Sequence, residues 1–279
     1  MRRMFDPKFL VSLARSVWHA TDDRHLSLIS AGVAFYAMLA IFPAMAATIA
    51  IWGLFSDPTV MREYLFSIHE VIPDAAYEII ETQLNALLDA NTGTLGWASA
   101  VSLMIALYSV HSGVTAMIMG LNAIHASRRR VGLARHLGSI ALTLVLIALF
   151  LFALVVVVIV PIALNFVPFD FFTHSALRIM PWAVMFLVVM VVLGLFYRWG
   201  PNMPARHQWI TPGAVLAALL WAAASMAFSA YLENFGTYNR LYGSIGAVVA
   251  LMMWLYLSAY IVLLGAAVNA ERARLLRDQ

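Results

Sequence analysis

The chain has 279 residues, 63% of them hydrophobic and 11% charged, with a formal net charge of +3 and a mean hydropathy of +0.86. A soluble domain needs more charged surface than this, so the composition excludes soluble enzymes and binding modules and leaves an integral membrane protein. With no cysteine in the chain, disulfide frameworks and thiolate metal centres are excluded as well.

The opening MRRMFDPKFLVSLARSVWHATDD is too polar for the apolar core of a cleaved signal peptide and has no small-residue cleavage site. The first span is therefore expected to stay in the membrane as a signal anchor. Residues 7–20 place Leu10, Leu13, Val17 and Trp18 on one side and Lys8 and Arg15 elsewhere, which suits a helix lying in the membrane interface, so 1–27 reads as a cytoplasmic interfacial segment.

Apolar segments then follow at about 28–55, 95–121, 137–166, 176–198, 212–233 and 244–270, each near the ~20 residues that cross a bilayer. Backbone polar groups in lipid need partners within their own segment, and no segment alternates as a barrel strand does. The expected fold is all-α: a single domain over 1–279 with six transmembrane helices. Arginine and lysine placement sets the orientation. With a cytoplasmic N-terminus, the opposite side receives only Arg62, Arg178 and Arg240 of the 17 basic residues and collects most of the acids, so both termini are expected to be cytoplasmic.

In the first span the stretch AFYAMLAIFPA (34–44) contains Tyr36 and Pro43. Pro43 frees the carbonyl of Leu39, and the expectation is a kink or break beside a binding cavity, with a static packing bend as the alternative. The periplasmic connection 57–94 is the longest. In it Tyr77, Ile80, Leu84 and Leu87 recur at helical spacing opposite Glu78, Glu81 and Asp89, and Pro73 precedes Asp74. An outer amphipathic helical loop is expected, either capping the outer mouth or resting on lipid.

The second span carries Tyr108, His111, Ser112, Thr115 and Asn122 within an arc of about 100°. A polar stripe in hydrocarbon lines a pathway or bonds neighbouring helices, and His111 is a candidate proton carrier. The loop HASRRRVGLARH (125–136) is basic, but a short basic loop between spans is what the positive-inside bias requires. Its expected partners are anionic lipid headgroups and not nucleic acid.

Pro161 would bend the outer end of span three, whereas Pro181 reads as a first-turn residue. The apolar faces of spans three and four would meet lipid or a second copy, so a homo-oligomer is open. Span five carries Gly213, Ala214, Ala217, Ala218, Ala222, Ser225 and Ser229, and span six opens with Gly243, Gly246, Ala247 and Ala250, a composition that permits close helix contact. Trp221 and Trp254 lie at similar depth from opposite ends of their spans and are expected either to fill the core or, with Tyr256 and Tyr260, to wall a cavity. The other tryptophans read as interfacial belts. Glu233 and Arg240 would form an outer gate, with an interfacial glutamate reaching water as the alternative.

The runs YRWGPNMPARHQWITPGAVLAALLW (197–221) and FSAYLENFGTYNRLYGSIGAVVALMMWLYLSAYIVLLGAAVNAE (228–271) resemble the ends of the YihY/BrkB membrane-protein family, as do Phe35-Tyr36, Phe42-Pro43 and Leu121-Asn122-Ala123-Ile124 followed by arginines. The resemblance runs from about 20 to 271. It implies a bacterial inner-membrane protein of six helices, with a role discussed as transport and an older, mistaken label as a tRNA-processing ribonuclease. Family members often carry a glutamate after the terminal glycine–alanine pair, where this chain has Ala267, with Asn269 and Glu271 nearby; coupling through that glutamate is therefore not expected here.

The eight histidines are scattered, with no H-x-x-x-H or H-E-x-x-H spacing, no P-loop and no nucleophile elbow. No catalytic residue, metal or cofactor is expected. The reading is a non-enzymatic inner-membrane transporter of an unidentified, lipid-like or amphipathic substrate, with a non-transporting scaffold for envelope integrity as the rival.

Overall fold

The computed structural model describes residues 7–55, 81–82, 85, 92–125, 133–164, 171–201, 209–233 and 244–277. Among them seven helices run in chain order: α1 (Pro7–Asp23), α2 (Leu26–Phe55), α3 (Thr92–Ile124), α4 (Leu133–Leu164), α5 (Phe171–Trp199), α6 (Pro212–Glu233) and α7 (Ser244–Arg277). The described residues contain no strand. Five helices carry a stretch long and apolar enough to cross a membrane, at Leu26–Ala44, Ala100–Ile124, His136–Ala153, Pro212–Leu232 and Val248–Arg277, and α5 carries a shorter one at Ala183–Trp199. The helix bounds fall within a few residues of the apolar segments in the sequence, except that α7 continues to Arg277. Most of the 57–94 connection lies outside the described residues.

Local chemistry sets several of the boundaries. α1 and α2 are separated by Arg24 and His25, and His25 takes a left-handed backbone at φ 51 that stops one helix and redirects the next. α6 starts on Thr211-Pro212. The threonine Oγ1 accepts from the Ala214 N–H at 3.1 Å as an N-cap, and the proline occupies the first helical position, where no amide donor is needed. α5 stops at Gly200-Pro201, the Gly200 N–H closing the last turn on the Phe196 carbonyl at 2.9 Å.

Consecutive helices from α2 to α7 pack on one another, and α7 returns to α2 and α3, closing a ring. α1 lies against α7 and the start of α2. Four of the buried positions of α2, Leu26, Ser30, Ala34 and Met38, form a ridge of four-residue steps. Burial is concentrated at one end of the ring, where α2 and α6 begin and α3, α5 and α7 finish. There Leu121, Ile124, Leu193, Ala214, Ala217, Leu263 and Ala267 share a core. Beyond it α5 and α6 loosen, with no residue of α6 from Leu219 to Leu232 buried and none of α5 from Ala183 to Val192, whereas α2, α3 and α7 still bury Ala40, Ala106 and Ala250.

The small residues of α6 do make a close helix contact, but their partner is the far end of α7. A Cβ on Gly213 would collide with the Gly265 carbonyl, and one on Gly265 would strike the Tyr197 hydroxyl. α6 and α7 run antiparallel, so the start of one meets the end of the other. Gly213→Ala is expected to lower stability by about 1–3 kcal/mol through overpacking, read as a loss of thermal stability in detergent, whereas Gly138→Ala, in open space, should leave it unchanged.

Candidate functional site

The closed end is held by buried polar groups from segments far apart in the chain. Arg24, at the α1–α2 elbow, gives one guanidinium nitrogen to Glu271 Oε1 at 3.0 Å and the other to the Ile124 carbonyl at the end of α3. The Glu271 side chain is 5% exposed and that of Arg24 21%. Arg274, one turn along α7, approaches the second carboxylate oxygen at 3.9 Å and is mostly in solvent. A cleft of about 290 Å³ between α1 and α7 is lined by Ser16, His19, Asp23, Arg24, Glu271 and Arg274. Beside this pair, Asn269 accepts from the Gly213 N–H and donates to Thr211 Oγ1, both at 2.8 Å, tying α7 to the start of α6. The Tyr197 hydroxyl donates to the Val262 carbonyl at 2.7 Å, tying α5 to α7. Ala267, where the resembled family often has a glutamate, is fully buried next to this node.

None of these residues was singled out by sequence as a site, since Arg24 counted only as one more positive-side charge. The signal available was the run Asn269-Ala270-Glu271, two hydrophilic side chains on the last turns of an apolar helix.

The stripe on α3 is divided in its use. Tyr108 is 69% exposed. Ser112 donates to the Tyr108 carbonyl and Asn122 to the Ile118 carbonyl, each at 2.8 Å and within the same helix. His111 Nδ1 lies 3.1 Å from Thr143 Oγ1 of α4, and its ring meets His136 edge-on at 5.8 Å between centroids. Thr115 Oγ1 is buried with no protein partner, as is Ser225 Oγ on α6. Tyr36 is half-buried and faces α3 at Gly113, whose added Cβ would lie 3.6 Å from that of Tyr36. α2 continues through Pro43 without interruption; one missing amide donor does not break a helix whose other turns remain bonded.

The two tryptophans expected at equal depth do meet, edge to face at 6.1 Å, and Trp221 Nε1 donates to Ser258 Oγ at 3.1 Å. Tyr256 and Tyr260 stack at 6.1 Å. The side chain of Glu233 and all of Arg240 lie outside the described residues. So do the 125–136 loop beyond His125, up to Leu133, and the side chains of Pro161 and Pro181. No group of three or more His, Asp or Glu able to hold a metal occurs among the described residues.

These features define a multi-pass helical membrane protein with a polar node sealing one end of its bundle. The chain belongs to the family described as Virulence factor BrkB, which it matches over residues 17–278. It is 30% identical over 246 residues to the "Putative ribonuclease-like protein YfkH" of Bacillus subtilis, covering 86% of this chain and 88% of that one. It is 26% identical over 277 residues to the "UPF0761 membrane protein" of Xanthomonas oryzae pv. oryzae, spanning 97% of this chain but 63% of that relative's length. No solved structure matches.

Two outcomes follow from this geometry. Arg24→Ala leaves the Glu271 carboxylate buried without its partner and should cost about 3–5 kcal/mol, seen in unfolding from detergent, while Arg24→Met with Glu271→Leu recovers most of the loss. Thr143 donates its only proton to the Ser139 carbonyl at 2.8 Å, so its oxygen must accept from His111, which fixes neutral His111 with the proton on Nδ1. Imidazole nitrogen NMR shifts should report that tautomer, and Thr143→Val should move the population toward the proton on Nε2.

Proposed function

We propose that the protein is a six-span bacterial inner-membrane transporter with both termini in the cytoplasm, moving a lipid-like or amphipathic substrate between its helices. The observation that carries this reading is the lengthwise asymmetry of the bundle. One end is closed by glycine contacts and by the joints of Asn269, Tyr197 and Arg24, whereas α5 and α6 bury nothing over the described half beyond. A ring sealed at one end and loosened along α5 and α6 beyond it is a geometry suited to alternating access. The unpartnered hydroxyls of Thr115 and Ser225 support it, since a buried polar group without a protein partner suits a water or a polar group in transit. So does the amphipathic pairing of Trp221 with Ser258.

The positive-side charges support the orientation, because Arg24, Arg198, Arg272 and Arg274 gather at the closed end, as the positive-inside bias expects of a cytoplasmic end. The sequence holds no catalytic histidine spacing, P-loop or nucleophile elbow, and we read the chain as a non-enzyme. The scaffold reading has its own support: Ser112 and Asn122 spend their polar groups inside α3, which leaves less for a pathway.

The test is translocation of fluorescent phosphatidylglycerol in liposomes. Protein-containing vesicles should flip the labelled lipid faster than empty ones, and Trp221→Ala with Trp254→Ala should slow it. Rates equal to those of empty vesicles, for this lipid and for an amphipathic dye, would leave the scaffold.

A further inference from the structure

We propose that the outward face of α1 docks on an anionic bilayer surface, and that this docking seats Arg24 in its joint with Ile124 and Glu271. The inference is independent of what the protein moves.

α1 has two apolar sectors with different fates. Val17 and Ala20 are buried, with Leu13 packed beside them on the core that α7 supplies. Val11 and Trp18, seven positions apart, form a second sector with Leu10 at its border beside Val17; all three are exposed, Trp18 at 77%. The bundle thus leaves part of the apolar surface of the helix uncovered. What covers that part follows from the chain path. α1 ends at Asp23 and the first apolar span starts at Leu26, with only Arg24 and the left-handed His25 between. So short an elbow holds α1 at the surface of the membrane that α2 enters, and Trp with branched aliphatics at headgroup depth is the composition of an interfacial helix.

Charge selects the kind of lipid. The exposed sector is flanked by Lys8 and Arg15 over the first turns, and by Asp22 on the same side only in the last turn, where Asp23 also lies. Lys8, Val11, Ser12 and Arg15 share one open surface of the helix, where the basic and apolar residues meet. Juxtamembrane lysine and arginine favour anionic headgroups, an attraction that fades within a Debye length.

The link to the bundle is direct. The Arg24 N–H bonds the Ala20 carbonyl at 3.3 Å, so Arg24 continues the last turn of α1 and moves with it. Seating α1 on the leaflet holds the guanidinium against the end of α3 and the Glu271 carboxylate.

The native chain has no cysteine, so two spin labels can be placed without background, at Ser12→Cys on α1 and Leu276→Cys on α7, and their separation read by electron–electron resonance in nanodiscs. In phosphatidylcholine mixed with phosphatidylglycerol the distance should be single and narrow. It should broaden in phosphatidylcholine alone, at high salt, and with Lys8→Gln plus Arg15→Gln in the anionic lipid. Arg24→Gln should broaden it in either lipid, which confirms that the label pair senses the joint. A distribution unchanged between the two lipids, or insensitive to the charge variants, overturns the proposal. So does a short distance between singly labelled molecules, which would mean that a second copy covers this face.

Discussion

A single guanidinium is the constraint on which the closed end depends. Glu271 is ionisable and almost wholly buried, a placement that costs several kcal/mol unless the charge is met at hydrogen-bond distance. Arg24 meets it and, with its other nitrogen, meets the last carbonyl of α3, at the negative end of that helix. Both targets are acceptors, and a planar fork reaches two at once where an ammonium offers one compact charge. The turn between α1 and α2, the end of α3 and the end of α7 therefore have to converge on one point.

Around that point the remaining joints have a common character. Asn269 satisfies a backbone amide of α6 and the N-cap threonine together, and Tyr197 satisfies a carbonyl of α7. In hydrocarbon, apolar contact between helices supplies little net attraction because lipid competes for it, so close backbone approach and interhelical hydrogen bonds carry the association. The contact between Gly213 and Gly265 is what brings Asn269 within reach of the Gly213 amide, and a larger residue at either glycine would separate the two. Packing and polar bonding are one device here.

Composition and periodicity read the helices well because each span is a local property: about twenty apolar residues with internally bonded backbone. The equal depth of Trp221 and Trp254 was legible for the same reason, since counting inward from two span ends gives depth directly, and the rings meet. Partner choice was not legible. Arg24 and Glu271 are 247 positions apart, and nothing local distinguishes that arginine from the others on its side. The small residues of α6 announced a close contact without saying with what, and antiparallel pairing sent them to Gly265 and not to the start of α7. The α3 stripe shows a further limit. An arc of about 100° identifies side chains that share a face, but a face has edges, and Tyr108 lies on the exposed one while His111 turns to Thr143.

The histidine contact shows how much a single hydroxyl proton decides. Thr143 can donate once, and the Ser139 carbonyl takes that proton. Its oxygen then serves only as an acceptor toward His111, which must present Nδ1–H and keep the Nε2 lone pair bare. Were the threonine rotated to donate to His111 instead, the bare nitrogen would be Nδ1 and the ring's second proton site would change sides. The α3–α4 contact is therefore polar, directional and dependent on one side-chain torsion, unlike the close approach of α2 to α3 at Gly113. Its hydrogen bonding can be rewritten without moving a backbone atom.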